Sequence, residues 1–365
     1  MNIFIWLVVL LLFSAFLLQG NVKGNKRFII VAFILLFLVM GLRDVNTGGA
    51  DASGARGSYP VSFQTVGTTE YSELSGKSDN NYNIGFFYLM KFMYDLTGGN
   101  YQRYITILSF FILLPYMRFI RKYSPSPILS ILFFMGLLYY TFLFDALKQA
   151  LAMSVLLFAF DAIIDRRPIL FILFVLLAAQ FHFPAMVFLP AYWLGRMKIG
   201  SGFLLLLAVI LAATYLFRDQ ILNLMLETYG GEDIETSMEG IRFFRNKAIV
   251  MIIIVVVAFI LRPPTEGDTV YNACLVFASI AIVFQTFCGY NNIFERLADY
   301  YFHTSIVLLP LVFEKCDLKA HVLTVSDELR IKSIAPWLFG AFAVWRFLSY
   351  VSSSINFSSY QFLWQ

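Results

Sequence analysis

The chain has 365 residues, of which 59% are hydrophobic and 14% are charged, and its formal net charge is +4. A soluble domain carries about 25% charged residues, so this composition excludes a soluble enzyme, a disordered tail and a secreted disulfide scaffold. The apolar residues form blocks that suit membrane-spanning helices and are too long for barrel strands, so we predict an all-α, polytopic transmembrane protein.

Apolar blocks in chain order predict about twelve membrane spans within a single transmembrane domain, residues 1–365. Between them, the 14-residue stretch 84–97 is apolar but contains Lys91 and Asp95. It is too short to cross a bilayer, so we predict a short interfacial or re-entrant helix there. The spans are expected at 2–18, 28–42, 101–117, 128–143, 146–164, 168–181, 184–195, 201–217, 248–261, 269–288, 297–313 and 333–350.

The basic residues predict the orientation of the chain in the membrane. With residues 21–27 inside the cell, the alternating inner loops hold 15 of the 27 basic residues, which satisfies the positive-inside rule. This topology places two long polar segments outside, residues 43–83 and 218–247. The basic residues are scattered in short loops and form no stripe, so no nucleic-acid partner is expected.

A set of charged and polar residues lies at the outer ends of the predicted spans. A charge at the bilayer centre costs about 2.5–3.5 kcal/mol, so such residues tend to face a cavity or a partner. Arginine clusters bind phosphate oxygens, and a histidine or aspartate can accept a proton from a hydroxyl. The set therefore indicates an enzyme acting on a lipid-linked phosphate, or a transporter of an anionic solute. Its members are Arg43, Asp44, Asp145, Lys148, Gln149, His182, Arg218, Arg242, Arg245, Glu295, Arg296 and Asp299.

Simpler interpretations of these residues stay open. Asp145 and Lys148 lie three positions apart, a spacing that allows an ion pair on one helical face. Arg296 has the same relation to Asp299, and His182 has the position of a hydrogen-bonded loop residue.

Motifs of soluble enzymes are missing from the sequence. It contains no phosphate-binding P-loop, no HExxH, no hydrolase nucleophile elbow and no dinucleotide fingerprint. The spacings of histidine and cysteine suit no metal site, so neither a metal nor a cofactor is expected. His303, two turns into the eleventh predicted span, is expected to pack in the core.

Short motifs follow one another along the chain in a distinctive order. GLRD and GGAD lie within residues 41–51, and IGFFYLMKFMYDL follows at 84–96. In this order the sequence resembles the EpsG family of bacterial membrane proteins, which is related in function to Wzy-type polysaccharide polymerases. The further motifs are RFIRKYSPSP at 118–127, LKQALA at 147–152, AAQFHFPAMVFLP at 178–190 and RLADYYFHTSIVLLP at 296–310.

The resemblance implies a polymerase of exopolysaccharide, capsule or O-antigen repeat units in the bacterial cytoplasmic (inner) membrane. Its substrates would be oligosaccharides on polyprenyl diphosphate, surrounded by membrane lipid at the outer leaflet. A hydroxyl of the incoming unit would attack the anomeric carbon of the growing chain and release polyprenyl diphosphate, without a nucleotide sugar. A flippase and a chain-length regulator are the further partners implied.

The resemblance and the side-chain chemistry together assign roles. Arginines would bind the diphosphate, a histidine or an aspartate would be the general base, and neighbouring polar residues would orient phosphate or sugar. A flippase or transporter of the same glycan, and a multispan glycosyltransferase or ligase, are the rival functions. The one-sided polar set favours the polymerase. The candidates for binding the diphosphate are Arg43, Arg296, Arg242 and Arg245. The candidate general base is His182 or Asp51. The candidates for orienting phosphate or sugar are Lys148, Gln149 and Asp44.

Overall fold

Helices dominate the protein. No strand longer than one bridge occurs among the residues described, and that bridge joins Arg43 to Phe362. The all-α prediction is therefore confirmed. The computed structural model describes residues 2–18, 20, 22–45, 59–77, 83–217, 220, 238–261, 268–288, 293–315 and 325–364.

The helices follow the apolar blocks of the sequence closely. In the first half of the chain they are α1 (Ile3–Leu18), α2 (Val22–Gly41), α3 (Tyr59–Gly67), α4 (Leu74–Lys77), α5 (Ile84–Thr97), α6 (Tyr101–Tyr123), α7 (Pro127–Gly136), α8 (Tyr139–Asp145), α9 (Leu147–Ile164) and α10 (Pro168–Phe181). The later ones are α11 (Ala191–Leu194), α12 (Ser201–Leu216), α13 (Met238–Ile260), α14 (Thr269–Gln285), α15 (Ile293–Phe302), α16 (Leu308–Lys315), α17 (Val325–Ser353) and α18 (Ile355–Ser358).

The chain folds as two compact units. The first contains Met1–Phe160, Ile172–Met186 and Leu329–Gln365, and the second contains Asp161–Phe171 and Val187–Glu328. In the first, α2 packs against α1 and α6, and α5 packs against α3 and α6. In the second, α14 packs against α12, α13 and α15. The single domain over residues 1–365 stays a prediction.

Four helices among the described residues are long and apolar enough to cross a membrane, and a fifth span exists if the bent pair α7 and α8 counts as one. Six shorter apolar helices accompany them. The protein is therefore an integral membrane protein, and the total of about twelve spans stays a prediction. The four are Val22–Gly41, Tyr101–Tyr123, Leu147–Ile164 and Lys332–Ser353.

The predicted span at 128–143 differs from a continuous helix. The helices α7 and α8 bend by 53° at a break where Leu138 adopts a left-handed φ of 68°. At the end of α7, a Cβ on Gly136 would lie 2.5 Å from the Cβ of Ala343, so only glycine allows this approach to α17. The Gly136 carbonyl accepts a hydrogen bond from Arg346 Nη1, which satisfies a group that a longer helix would have used.

Two other predicted spans are also interrupted. The 184–195 block forms a 3₁₀ segment, Phe183–Phe188, followed by the single turn α11, because prolines at 184 and 190 lack the amide donors that a continuous helix needs. The 297–313 block divides into α15, the 3₁₀ segment His303–Ile306 and α16. In contrast, the helix predicted at 84–97 is confirmed as α5, with the same bounds.

Candidate functional site

Arg43 follows directly after α2 and is almost completely buried, with 2% of its surface exposed. Its Nη2 donates a hydrogen bond of 2.8 Å to the carbonyl oxygen of Phe144, and its guanidinium carbon lies 4.6 Å from the centre of the Phe144 ring. Its Nε and Nη1 are buried and make no hydrogen bond to any residue in the described part of the chain. The guanidinium thus keeps unused donors on two of its three nitrogens.

The electrostatic surroundings of Arg43 favour an anionic partner. Burial lowers the pKa of Arg43 from its ordinary value, while the nearby Tyr101 and Asp145 act in the opposite direction. Arginine nevertheless stays charged at any physiological pH. A buried cation with unused donors is costly in free energy, and a phosphate or carboxylate oxygen would offset that cost.

Lys148 lies in the first turn of α9, four residues after the carbonyl that binds Arg43. Its Nζ lies 5.0 Å from the centre of the Phe87 ring and 5.7 Å from that of Phe86. Its backbone amide donates a hydrogen bond of 3.3 Å to the Tyr59 hydroxyl. Gln149, the next residue, is buried. The turn between α8 and α9 therefore brings Arg43 and Lys148, two predicted site residues, to the same region.

His182 follows directly after α10 and is also buried. The backbone on either side of it is fixed, because its amide donates to the Ala178 carbonyl and its carbonyl accepts from the Ala185 amide, each at 2.9 Å. The Asn83 side chain accepts a hydrogen bond of 2.8 Å from the Phe183 amide. Asn83, the residue before α5, therefore contacts the His182 turn, and Phe86 and Phe87 in the first turn of α5 lie at Lys148.

Close packing between Gly85 and Gln180 also fixes the position of α5. A Cβ on Gly85 would lie 2.6 Å from the Cβ of Gln180, so the start of α5 is in direct contact with the end of α10. Further along α5, the Lys91 Nζ donates to the Gly67 carbonyl at 2.9 Å and to Asp95 at 2.8 Å. Hydrogen bonds from Lys91 and from the Tyr71 hydroxyl hold the pKa of Asp95 below its usual value. This polar network ties α5 to the segment that precedes it.

The other predicted site residues have fewer described contacts with Arg43, Lys148 and His182. Asp44 is half-buried, and its amide donates to the Gln361 carbonyl at 2.9 Å. Arg296 is exposed on α15, within the second unit. Arg242 and Arg245 lie in α13, but their side chains are outside the described part, and Asp51 lies outside the described residues altogether. The structure thus brings Arg43, Asp44, Lys148, Gln149 and His182 into one unit.

The second unit contains a buried ion cluster that sequence reasoning missed. Lys247 Nζ lies 2.7 Å from a carboxylate oxygen of Glu295 and 2.8 Å from one of Asp299, which is 1% exposed. Lys247 resembles a lysine that snorkels at a span entrance, so its sequence position gave no signal. Asp299, for which a pair with Arg296 was left open, binds Lys247. His303 is fully buried, as expected, with its Nδ1 3.0 Å from the Asp299 carbonyl oxygen.

We expect Lys247→Met to destabilise the protein by about 3–5 kcal/mol, because two carboxylates would lose the cation that neutralises them in a buried site. Thermal unfolding of the purified protein in detergent measures the effect. Arg296→Met is the control, since Arg296 is exposed on the same helix as Asp299. An equal loss of stability in Arg296→Met would contradict this, because it would show that Arg296 matters as much as Lys247 does.

A metal centre is not formed by the residues that the structure describes. They contain no group of three or more histidine, cysteine, aspartate or glutamate residues arranged to hold a metal ion. The predicted site residues that the structure describes in the first unit supply two cations, a histidine, an amide and the Asp44 carboxylate.

Comparison with known proteins identifies the family. A model of the EpsG family matches residues 26–362, which is nearly the whole chain, so the chain belongs to the EpsG family. This family is associated with polysaccharide biosynthesis. Neither the curated proteins nor the solved structures give a significant match.

Proposed function

We propose that this EpsG-family protein is a polysaccharide polymerase. It transfers a growing glycan from polyprenyl diphosphate to an incoming lipid-linked repeat unit at the outer face of the bacterial cytoplasmic membrane. The observation that carries the proposal is the buried Arg43 guanidinium, whose Nε and Nη1 have no hydrogen-bond partner among the described residues. A diphosphate supplies the oxygens and the negative charge that such a group requires.

The reaction moves one bond and one proton. A hydroxyl oxygen of the incoming unit attacks the anomeric carbon of the growing chain, and the bond from that carbon to the diphosphate oxygen breaks. The electron pair leaves with polyprenyl diphosphate, and the hydroxyl proton passes to the general base, His182 or Asp51. Arg43 stabilises the charge that develops on the leaving oxygen, an effect that fixed donors exert without reorganisation.

Neighbouring residues of the first unit complete the site. The Lys148 ammonium, held over the Phe86 and Phe87 rings, orients a phosphate oxygen, and Gln149 orients a sugar hydroxyl. Asp44 contacts the substrate beside Arg43. The other arginines that the sequence predicts for the diphosphate, Arg242, Arg245 and Arg296, belong to the second unit, and their role stays a prediction.

This function requires the site to face outward, with about twelve spans and the lipid-linked substrate in the outer leaflet. We expect a cysteine at Glu70 to react with a membrane-impermeant thiol reagent in whole cells, and a cysteine at Lys122 to react only after lysis. Both positions are exposed, and the three native cysteines are replaced beforehand. The reverse labelling pattern would contradict the orientation and the outward-facing site.

Deletion of the gene tests the function itself. Because a flippase delivers the repeat units and a chain-length regulator only sets their number, we expect the polymer to disappear while single repeat units remain on the cell surface. Gel electrophoresis of the surface polysaccharide separates these forms. Loss of all repeat units would indicate a flippase or transporter, and a truncated repeat unit would indicate a glycosyltransferase that adds one sugar.

A further inference from the structure

The end of the chain folds back over the predicted diphosphate site. We call residues 355–364 the C-terminal strap. Phe357, buried within it, packs edge-on against the rings of Phe4 and Phe144 at 5.8 Å and 5.5 Å. The Tyr360 hydroxyl donates a hydrogen bond of 2.6 Å to the Val39 carbonyl in the last turn of α2. These contacts anchor the strap beside Val39, four residues before Arg43, and beside Phe144, whose carbonyl accepts a hydrogen bond from Arg43.

The register of the strap determines which side chains lie next to Arg43. Arg43 and Phe362 form an antiparallel bridge, flanked by hydrogen bonds from the Asp44 amide to the Gln361 carbonyl and from the Leu363 amide to the Leu42 carbonyl. This is the pattern of a non-hydrogen-bonded pair, in which the two facing residues approach most closely. Their side chains lie on the same face of the two-stranded segment.

The aromatic surface of the strap continues to Trp364. The Phe362 and Trp364 rings are stacked, with centres 4.6 Å apart and planes 7° apart, so the Trp364 ring lies beside the Phe362 ring. Trp364 is 63% exposed, whereas Arg43 is 2% exposed. The buried Arg43 guanidinium, which has unused donors, therefore lies next to a stacked pair of aromatic rings. The Trp364 ring of that pair is exposed.

We propose that Phe362 and Trp364 form a sugar-binding platform for the residue attached to the diphosphate, an inference that rests on the proposed function. In the substrate that sugar is bonded directly to the diphosphate. When Arg43 binds the diphosphate, the sugar must therefore lie beside Arg43. The C–H groups on one face of a pyranose carry a small positive charge, and the faces of aromatic rings are negative. A stacked pair of rings beside a phosphate-binding arginine matches both parts of this ligand.

An interfacial tryptophan that only anchors the chain in the membrane is the competing explanation. Trp345 provides the matched comparison, because it lies in α17 of the same unit, is 64% exposed and has a neighbouring ring, Phe342, at 5.7 Å. Truncating either tryptophan removes a similar exposed aromatic surface. Only Trp364 stacks on the residue that pairs with Arg43.

The experiment compares two probes on the purified full-length protein in detergent. The first is the lipid-linked repeat unit extracted from cells lacking this gene, and the second is undecaprenyl diphosphate, which has no sugar. We expect Trp364→Ala to weaken binding of the first probe about tenfold or more, as loss of an aromatic stacking contact does elsewhere. Binding of the second probe stays unchanged. Trp364→Phe retains most of the affinity, and Trp345→Ala changes neither value.

Three results would contradict the sugar-binding platform. Equal loss of both probes in Trp364→Ala, or equal effects of Trp364→Ala and Trp345→Ala, would show that Trp364 acts as an anchor. Unchanged binding of the repeat unit in Trp364→Ala would overturn the platform and leave the proposed function standing. If the unmodified protein binds neither probe, the proposed function fails and the platform with it. Thermal unfolding of each variant confirms that it is folded.

Discussion

Replacing Arg43 with lysine is expected to abolish polymer formation nearly as completely as replacing it with alanine. The guanidinium donates from Nη2 to the Phe144 carbonyl and has Nε and Nη1 left for a ligand, whereas lysine has only one nitrogen. Burial also favours the neutral form of a lysine. Loss of a fixed donor at a developing oxyanion costs about 10²–10³-fold in rate. Electrophoresis of surface polysaccharide, with protein abundance measured by immunoblot, detects the effect.

Two further variants separate charge from folding. Arg43→Gln keeps a donor for the Phe144 carbonyl without the positive charge, so we expect normal abundance and no polymer. Arg103, exposed in the first turn of α6, is the control, and Arg103→Lys should make normal polymer. Normal polymer in Arg43→Lys cells would contradict diphosphate binding by the guanidinium. Low abundance in every Arg43 variant would assign the residue to folding.

The sequence predicts individual helices well where their ends carry local signals. The helix predicted at 84–97 has the same bounds in the structure, where Gly98, with a left-handed φ of 65°, caps its end. Glycine favours this conformation, so a Gly-Gly pair after an apolar run is a readable stop signal. In contrast, the bend between α7 and α8 depends on contacts of Gly136 with Ala343 and Arg346, about 200 positions away. No local pattern records such contacts.

The candidate site was predictable as a set of residues but not as an arrangement. Arg43, Lys148 and His182 are identifiable because a charged or polar group beside an apolar run needs an explanation. Lys148 and His182 share α5 as a neighbour, through the contact of Asn83, the residue before α5, with the His182 turn and of Phe86 with Lys148. Residues about 60 to 100 positions apart form these contacts, so spacing alone does not reveal them.

Local spacing was also an incomplete guide to ion pairing. The i, i+3 relation left a pair of Arg296 and Asp299 open, but it could not reveal Lys247, which lies 52 positions before Asp299 and binds it. Lys247 is itself buried, so it supplies the cation that the buried Asp299 carboxylate needs. The strap was missed for a related reason. Aromatic residues at the end of a membrane protein resemble interfacial anchors, and only the bridge to Arg43 sets Phe362 apart.

The general base is the remaining assignment, and His182→Gln is expected to slow polymerisation by about 10²-fold or more, the low end of what a general base contributes. Glutamine preserves size and hydrogen bonding but does not titrate. The backbone hydrogen bonds to Ala178 and from Ala185 do not involve the side chain, so the variant should fold and bind lipid-linked substrate. Elongation of purified lipid-linked repeat units measures the rate.

The pH dependence of that rate separates a base from a structural residue. A catalytic imidazole must be neutral, so the rate of the unmodified protein should fall as the pH drops through the range in which imidazole gains a proton. The residual rate of His182→Gln should lack this step. If His182→Gln still makes normal polymer while Asp51→Asn does not, the base is Asp51. His182 would then serve only to shape the turn that contacts α5.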